Sequence, residues 1–561
     1  MLNGEPGKVA AATADALPDA PEAAAADGEQ PPGAPGPRRL AAARARLLWA
    51  GALVAAAVAL FWCYLLQSRT AAVNSDAAGM VLQGWDMMHG NVLLHGWFVA
   101  DVSFSTFEIP IDGLVAVVHG LGPDVAHITA AIVYTLLVLS AALLARGTAR
   151  GAEGIVRAVL AGGILAAPGY IPGTHVLLLA PDHTGIGVPI LLTLLFIDRA
   201  RERWWAVAGT VLLLVWAQVD DPLATYAAAV PIALVCLVRA ALPLVRRRRP
   251  GWYDLGLAAA AVVSVGLTRL AVHGISAAGG YQMHALKVRQ SIPVSLWGEQ
   301  VKLTVQNVLI LFGADFWEQP TELRTAIAVL HLAGFLLAFA GLLAGIACLF
   351  RSADRITQVL TAGTLVVLVA ATFATHIVLL QSAHQIAVVL SFGAVLAGRT
   401  VGSWLARRRL SRLALTPVLT AVLAGYLAAL GWAAAQPKQQ AETQQLADWL
   451  VAHHLTGGLA KYWAASSTTL SSGGQVLVVP TADLGKQPYT WVAKGSWYDP
   501  AASRATFVVA VPGPGNAYAF SEAGVRRAFG KPAREYRVGQ YIIMVWDKNL
   551  LLTVHLSGPA R

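Results

Sequence analysis

LLWAGALVAAAVALFWCYLL, residues 47–66, is followed a few positions later by VNSDAAGMVLQGWDMMHGNVLLHGWFVADVSFSTFEIP, residues 73–110. The first stretch is apolar throughout and long enough to cross a bilayer as one helix. The second carries Asp76, Asp86, Asp101 and Glu108 among tryptophans, phenylalanines and histidines. A spanning helix that opens directly into a chemically varied loop sets the reading of the rest of the chain.

Of 561 residues, 56% are hydrophobic and 13% charged, which places the chain among polytopic membrane proteins. The formal net charge of +10 does not mark a nucleic-acid surface, because the arginines fall in short clusters between apolar runs. Cys63, Cys236 and Cys348 all lie inside such runs, with the spacing of neither a disulfide framework nor a zinc site. Residues 1–45, rich in Ala, Pro, Gly and acids, are expected to form a disordered cytoplasmic tail. A cleaved signal peptide does not fit, since the first apolar run lies too deep in the chain.

Apolar runs of spanning length predict about eleven helices, near 47–66, 124–145, 155–171, 184–198, 204–219, 222–242, 254–274, 325–350, 356–376, 385–404 and 413–435. Alternate loops then carry the arginines: ARGTARGAEGIVR, DRARER, RRRRPGWYD, RSADR and RRRLSR all fall on the side of the basic tail. The loops between them, including the large one at 67–123, face the other, extracytoplasmic side. The expected architecture is an α-helical polytopic domain over 46–436 in the plasma membrane. An extracytoplasmic α+β domain is expected over 437–561, with a helix in QQAETQQLADWLVAHHL and strands in QVLVVP, ATFVVAVP and QYIIMVWD.

The outer loops collect the candidate chemistry. Beside the four acids of loop one stand Asp182 and His183 in APDHTG, Asp220 and Asp221 in QVDDP, and His284, Lys287 and Arg289 in YQMHALKVRQS. Ionisable groups at helix ends beside a membrane are costly to bury and mark a site by default. Met80, Leu82, Trp85, Met87 and Met88 predict a helix lying along the interface, with Asp76 in its first turn. Each residue also has an ordinary reading: Asp76 as a helix cap, Asp86 on a solvated face, His183 as a helix-start group, the Asp220–Asp221 pair as a turn. A divalent metal on Asp220 and Asp221 is the one cofactor the pattern admits.

The spanning helix, the large loop opening on an acidic motif and ending its helix in HGN, and the many further spans resemble the GT-C membrane glycosyltransferases. Within that class the likeness is to bacterial relatives of protein mannosyltransferases and aminoarabinose transferases, glycosyltransferase family 39-like proteins. LTGGLAKYWAASSTTLSSGGQVLVVP, residues 455–480, is similar to a segment in the outer domains of many such proteins. The resemblance implies transfer of a sugar from a polyprenyl-phosphate donor to a glycan, lipid or protein hydroxyl on the outer face, with inversion and with Asp76 as general base. The family motif often carries a second acid where this chain has Ala77, so no paired role follows. Arg289 and Lys287 are the cations expected on the leaving phosphate, and Asp101, Glu108, Asp182 and His183 are expected on sugar hydroxyls. A transporter, or a non-catalytic protein of envelope assembly or lipid binding, is the alternative that the same acids and cations allow.

Overall fold

The computed structural model describes residues 37–179, 183–200, 202–245, 251–284, 292–317, 319–349, 351, 354–374 and 382–554. Asp182, Lys287 and Arg289 lie outside them. Contacts divide the chain into Met1–Ala55, helical from Pro37 onward, and Ala56–Arg561, which holds everything that follows. The first helix starts at Pro37, ten residues earlier than the apolar run. Proline is well placed in a first helical turn, and the Ala, Arg and Leu that follow are strong helix formers with no breaker among them.

This is a multi-pass membrane protein. Among the described residues eight helices are long and apolar enough to cross a bilayer: Ala50–Ser68, Asp124–Arg146, Thr225–Pro243, Trp252–Ala277, Glu322–Cys348, Arg355–Phe373, His384–Arg407 and Thr416–Ala434. The other three expected spans do form helices, but of 15, 13 and 17 residues: Gly151–Leu165, Gly187–Arg199 and Trp204–Asp220. At 1.5 Å per residue these helices fall short of a hydrocarbon core about 30 Å thick.

The arginine-bearing loops meet at one end of the bundle. Arg399 is hydrogen-bonded to the carbonyl of Leu144 at 2.6 Å and paired with Asp354 at 2.8 Å and Asp198 at 3.2 Å. Asp254 accepts from both Arg355, at 2.8 Å, and Arg239, at 3.3 Å. The alternation seen in the sequence is therefore a spatial fact: loops far apart in the chain share one end of the bundle through ion pairs.

The opposite end is built from loop one, the other acid-bearing loops and the C-terminal residues. Loop one is not irregular. It contains the helix Ser75–Met88, the strand Trp97–Val99 and a further helix, Glu108–His119, that periodicity alone did not single out. The two helices cross at Gly84 and Gly113, where a Cβ on Gly84 would lie 2.6 Å from the Gly113 nitrogen and one on Gly113 2.5 Å from the Gly84 carbonyl. Only glycine permits that approach. The Ser75–Met88 helix is buried from Ala77 through Gly84, with Gly79 set against Val492. Met80, Leu82 and Met87 of its apolar stripe are buried in a cluster with Leu94, Trp97 and Ile109 of loop one and with Tyr281, Met88 stays exposed, and later parts of the chain pack on the helix at Ser75 and Gly79.

Those later parts form a sheet ordered Gln487–Pro488, Leu477–Ala482, Gly457–Ala460, Phe507–Val511, Tyr541–Val545 and Arg534–Val538. Phe507–Val511 and Tyr541–Val545 are buried along their whole length, as strands covered on both faces are. Gly457–Ala460 and Leu477–Ala482 run parallel, joined by the crossover helix Tyr462–Ser471. That helix packs on Ser75–Met88: Ser75 Oγ donates to the Tyr462 carbonyl at 2.7 Å and accepts from the Ser467 amide at 3.3 Å. A second, three-stranded sheet joins Trp97–Val99 of loop one to Gln282–Met283 on one side and Ala493–Lys494 on the other.

Asp86 reinforces this joint. It accepts from Asn91 Nδ2 at 2.6 Å and Trp97 Nε1 at 2.7 Å and is paired with Lys494 at 2.9 Å, so it is a brace and not a solvated face residue. Burial alone would raise its pKa, but the hydrogen bonds from Trp97, Lys494 and Asn91 outweigh burial and hold the carboxyl below its ordinary range. A lowered folded pKa contributes stability that is present above the unfolded value and lost as pH falls through the folded one. Lys494→Met is expected to cost roughly 1–2 kcal/mol near neutral pH, the worth of a hydrogen bond to a charged group. Thermal melts should show the gap between wild type and variant closing as pH falls into the acid range where Asp86 protonates.

Candidate active site

Two helix N-termini converge on Asp76. One belongs to Ser75–Met88, whose cap is Asn74: its side chain accepts from the Ala77 amide at 2.9 Å. With the cap supplied by its neighbour, the Asp76 carboxylate is not needed for that role. The other is the crossover helix, which leaves the carboxyl end of Gly457–Ala460 and presents Tyr462 at its first position. The carboxyl end of a parallel strand is where this kind of topology leaves room for a ligand. The Tyr462 hydroxyl donates to Asp76 Oδ1. Burial raises the Asp76 pKa above the ordinary carboxylate value, and the Tyr462 hydrogen bond, which favours the charged form, offsets part of that rise.

Asp76 borders two cavities. The larger, about 840 Å³, lies between loop one and the sheet layer, with Tyr462, Trp463, Tyr489, Trp491 and Phe520 among its walls and Lys461 on its rim. Lys461 Nζ donates to the Asn516 carbonyl at 2.6 Å and sits 5.6 Å from the Phe520 ring centre. The smaller, about 170 Å³, is lined by Gln83, Asp101, Ser103, His183 and His384. Asp76 and Trp491 are common to both.

Backbone strain concentrates on these walls. Phe104, His183 and Val492 of the smaller cavity have φ of +49°, +55° and +48°, and Asp483 and Leu484 of the larger have +41° and +57°. A β-branched valine in the left-handed region is an outlier that the surrounding structure must hold in place, and such strain gathers at functional sites.

His183 is fixed from two sides. Its Nδ1 donates to Asp221 Oδ2 at 2.6 Å, and its ring stacks on His384 at 5.5 Å with an interplanar angle of 2°. Asp221 Oδ1 accepts from the Leu223 amide at 2.8 Å. Asp220 turns the other way: its Oδ1 accepts from the Thr106 and Phe107 amides at 2.9 and 2.8 Å and from the Thr106 hydroxyl at 3.1 Å. Its carboxyl also meets Glu108, which is completely buried and packed on Gly185 so closely that a Cβ there would overlap Glu108 Oε1. Burial, and then the nearby charge of Asp220, raise the Glu108 pKa well above the ordinary value.

The structure thus brings Asp76, Asp101 and His183 to one cavity and sets Glu108, Asp220 and Asp221 behind it as supports. Among the described residues no group of three or more His, Cys, Asp or Glu side chains is arranged to hold a metal ion. The Asp220–Asp221 pair, expected to admit a divalent metal, is hydrogen-bonded to Thr106 and Phe107 through Asp220 and to His183 and Leu223 through Asp221. Tyr462 and His384 were not separable in the sequence. Tyr462 lay inside the KYW segment, but only the fold brings it across 386 positions to Asp76.

No protein-family model matches the chain, and neither does any curated protein. Solved structures do. ArnT from Cupriavidus metallidurans bound to undecaprenyl phosphate superposes with a TM-score of 0.50 at 13% identity, covering 88% of this chain and 97% of that one. The apo form of the same protein gives 0.49 at 14%, covering 91% and 100%. The oligosaccharyltransferase of Archaeoglobus fulgidus, in a complex with Zn and sulfate, gives 0.48 at 14%, covering 82% of this chain and 67% of that one. At such identities the likeness is one of fold, and the first of these superpositions carries it. This chain has the GT-C membrane fold that its loop-one and KYW segments led one to expect.

Proposed function

We propose that the chain is a membrane glycosyltransferase that moves a sugar from a polyprenyl-phosphate donor to an acceptor hydroxyl on the extracytoplasmic face, with inversion and with Asp76 as general base. The observation that carries this reading is the position of Asp76: a partly desolvated carboxylate, held by Tyr462, at the wall common to two cavities. A proton acceptor belongs where the two substrates meet, and a raised pKa makes a carboxylate a better base.

In this reading the acceptor oxygen bonds to the anomeric carbon as its proton passes to Asp76 and the bond from that carbon to the phosphate oxygen breaks. One displacement on one face inverts the centre. Asp101 and His183, the latter oriented by Asp221, hold sugar hydroxyls in the smaller cavity, and the aromatic walls of the larger one suit the apolar faces of sugar rings. Lys461 faces the larger cavity, and Lys287 and Arg289 are assigned to the leaving phosphate with Asp182 on the sugar. Glu108, Asp220 and Asp221 support the site from behind, and no step is routed through a metal. The basic loops then face the cytoplasm and the sheet layer the exterior, as the distribution of arginines favours.

The test is chemical. Purified protein given a radiolabelled polyprenyl-phosphate sugar and envelope acceptors should yield a covalent product. Labelled substrate accumulating in sealed vesicles without such a product would replace the transferase with a transporter.

A pH profile probes the Asp76–Tyr462 contact. Tyr462→Phe removes a donor that favours ionised Asp76, so the Asp76 pKa rises further. The acid limb of kcat/KM should move to higher pH, with the plateau at high pH changed less. An unmoved limb would separate Asp76 from the proton transfer.

A further inference from the structure

A third cavity, of about 570 Å³, lies away from Asp76, between the end of Trp204–Asp220, the π-helical turn Thr225–Ala229 and the membrane helix Trp252–Ala277. Its walls carry Arg269 and His273 and no carboxylate. Arg269 lies eight residues before the helix end at Ala277, roughly 12 Å inside it along the axis. Arginine at such depth is expensive in a membrane and marks a function unless paired. Among the described residues Arg269 makes no ion pair.

The helix that carries Arg269 also exposes Val262 and Leu270, side chains suited to lipid, and the apolar helices beside it expose Leu212 and Leu234. Arg269, His273 and Ser276 fall at i, i+4 and i+7, so one helix face leads from the membrane boundary down to the guanidinium. Three other polar groups on the wall are already engaged, while the buried Tyr281 hydroxyl has no hydrogen-bond partner among the described residues. Gln218 donates to Ser264 Oγ at 2.8 Å and accepts from Thr225 Oγ1 at 2.9 Å, and Thr268 donates to the Ser264 carbonyl at 2.8 Å. These bonds stiffen the wall next to the π-turn, an element often retained at functional positions.

We infer that this cavity is a binding site for the phosphate group of a membrane lipid, held by Arg269 and guided to it past Ser276 and His273. A cation with no acid beside it, in a recess opening among lipid-facing side chains, selects an anion that arrives with an acyl or prenyl chain. The inference does not rest on the transfer reading, since none of these residues lines either cavity at Asp76.

The experiment is lipid retention by the full chain, extracted from nanodiscs of defined composition and weighed intact by native mass spectrometry. Phosphatidylcholine discs are doped in separate arms with phosphatidylglycerol and with undecaprenyl phosphate. Wild type should retain at least one of the two phosphate-exposed lipids roughly tenfold over phosphatidylcholine, a preference of the size one charge-assisted contact supplies. The arm in which Arg269→Gln lowers retention identifies the source. Arg269→Gln should lose the phosphatidylglycerol preference, or lower undecaprenyl phosphate retention to what the separate donor site holds; Arg269→Lys should lose less, and Asp76→Asn should match wild type. If Arg269→Gln does not fold, His273→Gln takes its place, with an expected loss of about threefold. Equal retention of all three lipids by wild type, or a preference unchanged in the folded variants, would overturn the site.

Discussion

Asp76→Asn is expected to fold as wild type and to lose sugar transfer by roughly 10²–10⁴-fold, the contribution a positioned general base makes. The substitution is close to isosteric. Asparagine still offers Tyr462 an oxygen to donate to, and the helix cap belongs to Asn74, so the contacts that seat this turn persist. What disappears is the capacity to take a proton. The measurement is initial rate with a radiolabelled polyprenyl-phosphate sugar, alongside a thermal melt. An unchanged melt with a lost rate supports the assignment, and transfer at the wild-type rate removes Asp76 as the base. Ala77, where a second acid often stands in related motifs, makes this comparison sharper because no adjacent carboxylate can substitute.

Arg399→Leu is expected to produce the largest loss of stability, about 3 kcal/mol or somewhat more. Removing one member of a buried pair leaves its partners as uncompensated charges. Arg399 is 6% exposed in its side chain and holds Asp198, at 10%, together with Asp354, at 42%. The buried Asp198 bears most of the cost, since water can reach Asp354. Asp354→Asn should therefore cost no more than about 1 kcal/mol, as exposed pairs do. Melts of both variants in the same lipid decide it. Equal shifts would mean that Arg399 acts through Asp354, and no shift in Arg399→Leu would show the cluster to be incidental.

The membrane part of this fold is legible because lipid demands long apolar runs, and each of the eleven runs forms a helix. The three short ones escaped distinction, since hydropathy does not count where a helix ends. The arginine alternation was equally readable, and Arg399, Asp198 and Asp354 show its physical form. The site was legible only in part. Asp76 stood out through its motif, but its partner Tyr462, the Asp86–Lys494 brace and the support of Glu108 by Asp220 all join positions distant in sequence. No local periodicity encodes such pairs. The Glu108–His119 helix was hidden for another reason: its register depends on the glycine contact with Ser75–Met88, which is tertiary.

The small sheet that joins Trp97–Val99 to Gln282–Met283 and Ala493–Lys494 also sets an order of assembly. Loop one leaves the ribosome early, yet the lysine that pairs with Asp86 lies 408 positions later. Until then the strand Trp97–Val99 has an open edge toward its missing neighbour, and Gly79 lacks the Val492 side chain set against it. A nascent chain inserts its spans long before it can close its cavities. A chain stopped before Lys494 should therefore carry an exposed strand edge and unclosed cavities at Asp76.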